Sequence, residues 1–166
     1  VFFDLYTAPR GSFFMKKNIL DTIQKKIETS TKLETALQYI CDLLNSKMPG
    51  YDWVGFYFHN EKKKELNLVA FSGLPTEHTQ IPFGEGICGQ TAKNSQPYIS
   101  MDVSKESNYI SCNIGVKSEI VVPIFDNNRV NIGQIDIDSN TINQFSKNDL
   151  FFLEAINKFI SQKFFK

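Results

Sequence analysis

The chain has 166 residues, a length that predicts one domain with a buried core. Lys plus Arg number 18, as do Asp plus Glu, so the formal net charge is zero and the usual electrostatic basis for binding nucleic acid or an anionic membrane is missing. A hydrophobic content of 42%, with 15 Phe, excludes a disordered chain, and no apolar run approaches the ~20 residues that span a bilayer.

The first elements in the chain are predicted to be helical. Residues 1–14 do not share the pattern of the remaining chain and are predicted to be a tag or a disordered extension, which leaves a single domain over residues 15–166. Four apolar residues at helical spacing between positions 19 and 27 predict the first helix. Thr31 and Glu34 form a capping-box pattern that predicts the beginning of the second.

Strands are predicted where aromatic and β-branched residues concentrate, at residues 53–58 and, after a charged turn, at residues 66–71. A short helix over about residues 87–93 and a weak strand over residues 97–101 come next. Residues 102–117 are polar and show no periodicity. A loop of this length in a compact domain is usually functional or disordered.

Two further strands, residues 119–125 and 131–138, precede a last helix in which Ser146 is the N-cap and Asp149 lies in the first turn. Adjacent antiparallel hairpins flanked by helices predict an α+β fold. In this fold a central antiparallel sheet has helices packed on one face.

Three cysteines are too few, and odd in number, for a disulfide scaffold. The chain also begins without the basic region of a secretory signal, so we expect a reducing, cytoplasmic compartment. Cys41 lies on the apolar stripe of the second helix and is predicted to belong to the core.

Cys88 and Cys112 are the cysteines that could carry chemistry. Cys88 follows Gly84 and Gly86 at the start of the short helix, where a thiol pKa is lowered by the helix N-terminus. The alternative is that Cys88 is a small buried hydrophobe. Cys112 lies in the long polar loop, where a cysteine is less expected to fill a core and where a thiolate is accessible.

Three acidic residues form the second group. Glu119 begins a predicted strand just beyond the cysteine loop, and Asp136 and Asp138 alternate along another strand, so both point to one face. Two neighbouring acids on one face are costly unless they are solvated, bound to a cation or partly protonated. Either the face is exposed, or it lines a polar pocket that binds an amine or shares a proton.

Other chemistries lack their patterns. His59 and His78 are isolated, and neither C-x-x-C nor H-x-x-x-H spacing occurs, so no metal site is predicted. Nucleophile-elbow, Walker A and dinucleotide-binding motifs are missing from the sequence, so we expect no cofactor.

Taken together, these motifs resemble those of the free methionine-(R)-sulfoxide reductases, a family of stand-alone GAF domains. The resemblance runs from about residue 15 to residue 163 and rests on five segments in family order with closely matching spacing. They are residues 53–57, 84–89, 110–112, 118–123 and 136–139. It implies a GAF-like sheet with helices on one face and a ligand pocket on the other.

The resemblance also implies roles for single residues. Cys112 matches the nucleophile that attacks the sulfoxide sulfur and becomes a sulfenic acid. A second cysteine then forms a disulfide that thioredoxin reduces, and Cys88 is the candidate for that resolving role. The positions of Glu119, Asp136 and Asp138 match the residues that bind the amino group and the sulfoxide oxygen.

The aromatic residues Trp53 and Tyr57 match the wall around the substrate methyl group. The sequence departs from the family pattern where His78 replaces a further cysteine, Tyr109 a histidine and Asn113 an aspartate. These departures keep two alternatives open: a GAF domain that senses a small molecule without turnover, and a thiol redox switch. A homodimer is expected by analogy with other GAF domains.

Overall fold

The computed structural model describes residues 10–110 and 115–166. Cys112 and Asn113, and the proposed extension up to residue 9, therefore lie outside the described residues. The helices and strands are α1 (Arg10–Thr29), α2 (Leu33–Lys47), β1 (Trp53–Asn60), β2 (Glu65–Ser72), β3 (Gln80–Pro82), α3 (Gly86–Asn94), β4 (Tyr98–Ser100), β5 (Ser118–Phe125), β6 (Asn131–Ser139) and α4 (Lys147–Phe164). A 3₁₀ turn, Val103–Lys105, lies within the long loop.

The sheet has six strands in the order β3-β2-β1-β6-β5-β4, and each neighbouring pair is antiparallel. β1 and β6 lie at its centre. Their register places Trp53 opposite Asp138 and Gly55 opposite Asp136. β5 extends this arrangement by placing Glu119 opposite Asp138.

Alternation along the strands divides the protein into two apolar layers. Val54 and Phe56 of β1 point towards α1, α2 and α4, where the larger core forms. Trp53 and Tyr57, on the same strand, point to the opposite face and join a smaller cluster with Cys88 of α3. The predicted α+β architecture is confirmed, with three helices on one face and α3 on the other.

The ends of the helices test the predicted capping motifs. At α4 the prediction is confirmed, because the Asp149 carboxylate accepts a hydrogen bond of 2.9 Å from the backbone N–H of Ser146. At α2 the prediction is wrong. The helix begins at Leu33 and its N-cap is Lys32, whose side chain has no oxygen to accept a hydrogen bond. Thr31 therefore lies one position outside the cap.

Two further features differ from the sequence-based expectation. α1 extends back to Arg10, upstream of the boundary that we expected at residue 15. β3 was not predicted, because a three-residue strand that ends in proline has too short a pattern. None of the helices in the described ranges is long and apolar enough to cross a membrane.

Candidate active site

Three carboxylates meet on the face of the sheet that α3 covers. Glu119 and Asp138 are cross-strand neighbours, and Asp136 lies two residues before Asp138 and therefore on the same face. Their exposed fractions are 3%, 0% and 1% for Glu119, Asp136 and Asp138. The face is thus buried, which decides between the two alternatives that the sequence left open.

Burial changes the protonation of this group. It raises the pKa of Asp136 to about 7, although a hydrogen bond with the Cys88 thiol acts in the opposite direction. Burial also holds the pKa of Glu119 and of Asp138 well above the ordinary range, and the negative charge of Asp136 raises both further. The site therefore retains protons near neutral pH, as a general acid must.

The carboxylates also lack positive partners. The oxygens of Asp136 and Asp138 are all buried; those of Asp138 have no hydrogen-bond partner among the described residues, while Asp136 has the Cys88 thiol beside it. The ion pairs found in residues 10–110 and 115–166 do not include these three acids. Residues 111–114 contain no Lys or Arg. A ligand with a positive charge and several N–H donors would satisfy this arrangement.

Cys88 is the third residue of α3 and lies beside the carboxylates. Its sulfur is 4.0 Å from Oε1 of Glu119, and its carbonyl accepts a hydrogen bond of 3.2 Å from the Gln134 side chain. One donor atom each from Cys88, Glu119 and Asp136 lie within 4.8 Å of one another. Cys88 is therefore buried, as one alternative held, but it also takes part in a polar cluster.

A tight glycine turn brings Cys88 to this position. Gly86 has φ 62°, a left-handed conformation that favours glycine. A Cβ on Gly89 would lie 2.4 Å from the Pro82 carbonyl oxygen, so the backbone approach requires glycine there. The Gly84 N–H donates to the Gly89 carbonyl at 2.7 Å and closes the turn.

The chain that leads to Cys112 is attached to the same turn. Asn108 donates from Nδ2 to the Gly84 carbonyl at 2.9 Å, and the Gly86 N–H donates to its Oδ1 at 3.4 Å. A Cβ on Gly86 would contact the Ile110 side chain at 3.3 Å. These contacts place residues 108–110 against the start of α3, two residues from Cys88. Asn108 was not among the predicted site residues.

Glu106 fixes the earlier part of this loop. Its two carboxylate oxygens accept hydrogen bonds of 2.7 Å from the hydroxyls of Tyr98 and Ser100, both on β4. Its negative charge also raises the pKa of Glu119. Glu106 therefore links the cysteine loop to the sheet edge and to the acidic cluster, a role that sequence spacing did not reveal.

Two aromatic side chains of β1, Trp53 and Tyr57, lie on the same face of the sheet as the carboxylates. The ring centroids of Trp53 and Tyr57 are 6.3 Å apart, and Trp53 stacks on Phe71 at 5.8 Å. A Cβ on Gly55 would lie 2.2 Å from the Trp53 indole, so this glycine is what lets the ring lie across the strand. Gly55 was missed because glycine in a strand ordinarily indicates only weakness.

Hydrogen bonds hold both rings in place. The Trp53 Nε1–H donates to the Leu74 carbonyl at 3.1 Å, and the Tyr57 hydroxyl donates to the His78 carbonyl at 2.9 Å. The structure thus places the backbone of His78, which occupies the position of a family cysteine, beside the Tyr57 ring. Cys41 lies in the other layer, fully buried among the helices, as predicted.

Comparison with known proteins connects this geometry to a family. A model of the GAF domain matches residues 30–162. Protein YtsP of Bacillus subtilis is 36% identical over 124 residues, which are 72% of this chain and 75% of that protein. The free methionine-R-sulfoxide reductase of Saccharomyces cerevisiae is 35% identical over 131 residues, 78% of this chain and 72% of the enzyme.

A solved structure extends the similarity to the whole fold. It is the free methionine-R-sulfoxide reductase of Neisseria meningitidis in complex with its substrate. The two chains superpose with a TM-score of 0.86 at 30% identity, over 96% of this chain and 93% of the other.

Proposed function

Because this chain belongs to the GAF domain family and, within it, to the free methionine-R-sulfoxide reductases, we propose that it reduces free L-methionine-(R)-sulfoxide to methionine. The observation that carries this proposal is the buried trio of Glu119, Asp136 and Asp138 beside Cys88, in which both oxygens of Asp138 have no hydrogen-bond partner among the described residues. An amino acid with a free ammonium group supplies the missing charge and donors.

Each part of the substrate has a complementary surface. The ammonium group binds Asp136 and Asp138, whose four oxygens can accept its hydrogen bonds. The methyl group on sulfur packs against Trp53 and Tyr57, since thioether-like sulfur and its methyl interact well with aromatic rings. The sulfoxide oxygen then lies near Glu119, which holds a proton to donate.

In the proposed reaction a cysteine thiol takes one oxygen atom from the sulfoxide, which is thereby reduced to the thioether. The Cys112 thiolate attacks the sulfoxide sulfur, and Glu119 protonates the oxygen. The hydroxyl group then passes to the Cys112 sulfur as the bonds from the substrate sulfur to this oxygen and to Cys112 break, and methionine leaves. Cys112 keeps the oxygen as a sulfenic acid, so the cysteine is oxidised as the substrate is reduced. The Cys88 thiol displaces this oxygen as water and forms a disulfide, which a dithiol such as thioredoxin reduces by exchange.

Chain connectivity supports Cys88 as the resolving residue. Ile110 contacts the turn at Gly86, and Cys112 follows it by two residues, a span of at most about 7 Å. A disulfide requires Cα atoms roughly 4.4–6.8 Å apart. The tether at Ile110 is therefore short enough for Cys112 to reach Cys88. Thioredoxin as the reductant and a homodimer in solution are parts of the same proposal.

The test compares the rates at which the protein reduces the R and the S epimer of free L-methionine sulfoxide. Each rate is measured with dithiothreitol and separately with thioredoxin as the reductant. We expect R-selective activity that Cys112→Ser abolishes. Cys88→Ser should lose thioredoxin-dependent turnover and keep part of the dithiothreitol-dependent activity. Cys41→Ala is the matched control and should leave turnover unchanged, because Cys41 lies in the other layer.

Two outcomes would replace the proposal. Ligand binding without turnover, by folded and reduced protein, would favour the small-molecule sensor. Oxidation of the thiols by peroxide with no stereoselectivity would favour the redox switch. Glu119→Gln separates the switch from the enzyme, because an enzyme should lose turnover while a switch should still oxidise.

A further inference from the structure

Beyond this reaction, we propose that Cys88, Glu119 and Asp136 form a binding site for a thiophilic divalent cation, with Zn²⁺ as the best-fitting ion, and that the cation excludes the substrate from the pocket. Metal binding stands on the geometry alone. Only its inhibitory effect rests on the proposed reductase function.

The distances fit zinc coordination after a small contraction. The three donor atoms lie within 4.8 Å of one another, and the pair formed by Cys88 sulfur and Glu119 oxygen is at 4.0 Å. Zn²⁺ binds sulfur at about 2.3 Å and oxygen at about 2.0–2.2 Å in tetrahedral geometry, which separates neighbouring ligand atoms by roughly 3.5 Å. Side-chain rotation can close the remaining ångström.

The donor set also suits this ion. One thiolate with carboxylates is a set that zinc accepts and that Mg²⁺ or Ca²⁺ does not favour. The ligands come from three separate elements, since Cys88 lies on α3, Glu119 on β5 and Asp136 on β6. This explains why no metal-binding spacing occurs in the sequence.

The unpaired oxygens provide a second, independent indication. Asp138 is 1% exposed, faces the same side of the sheet as Asp136, and has no hydrogen-bond partner for either oxygen within the described residues. A buried carboxylate in this state costs free energy until a cation or a donor reaches it. Asp138 is therefore available as a fourth ligand or as an acceptor for a zinc-bound water.

Binding exchanges protons for the cation. The Cys88 thiol releases its proton to solvent as the sulfur–metal bond forms, and a protonated carboxyl does the same as its oxygen binds. No electron is transferred. The cation then occupies the carboxylates that the substrate ammonium group would use, so inhibition should be competitive with methionine sulfoxide.

The experiment uses Cd²⁺ as a spectroscopic probe, because cadmium bound to a thiolate gives an ultraviolet charge-transfer absorption. The full chain carrying Cys112→Ser leaves Cys88 as the thiol at the site. We expect stoichiometric absorption on titration with Cd²⁺, displaced by Zn²⁺ but not by Mg²⁺. Adding Cys88→Ser should abolish the absorption, adding Cys41→Ala should preserve it, and adding Glu119→Gln should weaken binding at least tenfold.

Other outcomes would overturn the inference. Absorption that survives Cys88→Ser, or that is absent from the Cys112→Ser protein although the wild type shows it, would place the metal elsewhere. Zinc inhibition that is not competitive with the sulfoxide would refute the shared site. Cadmium binding at Cys88 in a protein without turnover would uphold the metal site and reject the reductase instead, so the two failures are distinguishable.

Discussion

Asp136→Asn should make the protein more stable and less active at the same time. The pKa of Asp136 rises from an ordinary value of 3.8 to about 7, with burial as the largest cause. The folded protein therefore keeps a proton that the unfolded chain has already released. At 1.36 kcal/mol for each pKa unit, the ionised carboxylate destabilises the fold by about 4 kcal/mol above pH 7.

The sign follows from this difference in bound protons. Between pH 3.8 and about 7 the folded state binds more protons than the unfolded state, so the contribution of this group to stability falls as pH rises. The cost is near zero below pH 3.8, about 2 kcal/mol at pH 5 and about 4 kcal/mol at pH 8. Asparagine does not ionise and has nearly the same shape, so it removes the pH-dependent part.

The assay is urea unfolding of the wild type and Asp136→Asn at pH 5 and pH 8. We expect the free energy of unfolding of the variant to exceed that of the wild type by about 2–3 kcal/mol more at pH 8 than at pH 5. Asp21→Asn, at an exposed position on α1, is the matched control and should show no such change. An equal offset at both pH values would refute the assignment of a buried, proton-holding Asp136.

Three other variants test separate parts of the site and its support. Asn108→Ala removes the contacts to the glycine turn and should slow disulfide formation between the two site cysteines, measured by thiol quenching, with about 1 kcal/mol or less of stability lost. Gly55→Ala forces the Trp53 ring aside and should raise KM roughly tenfold or more in steady-state kinetics. Asp149→Asn weakens a network with Lys16 and Tyr51 and should cost about 2–3 kcal/mol at pH 7 in urea unfolding. Because the pKa of Asp149 is lowered in the fold, this loss should shrink below pH 3.8.

Local patterns predicted the elements and the faces of strands, because both depend on neighbours in sequence. The alternation at Asp136 and Asp138 placed both acids on one face, and the Ser146 cap was recognised from its own four residues. The cap at Thr31 failed because α2 begins at Leu33 with Lys32 as its N-cap, and the terminal residue of a helix is the least predictable part of a local pattern.

Long-range register could not be predicted in the same way. The pairing of Glu119 with Asp138 depends on how β5 and β6 align, and nothing in either strand alone specifies it. The approach of Cys88 to Glu119 depends further on the glycine turn before α3. The family resemblance supplied these groupings as expectations, and the structure supplies the register of Glu119 with Asp138 and the distances among Cys88, Glu119 and Asp136.

The two layers of the fold divide stability from chemistry. The helix-covered layer is an almost wholly apolar core in which Tyr51 reaches Asp149 and large side chains such as Phe56 and Phe152 are fully buried. The opposite layer buries three acids without cations, an arrangement that reduces stability by several kcal/mol when they ionise. The sheet can hold this unfavourable cluster because its other face contributes most of the buried apolar area. A buried acidic cluster that is poorly satisfied when empty gains most when the ammonium group of an amino acid reaches it, so the same electrostatic cost that lowers stability strengthens and orients substrate binding.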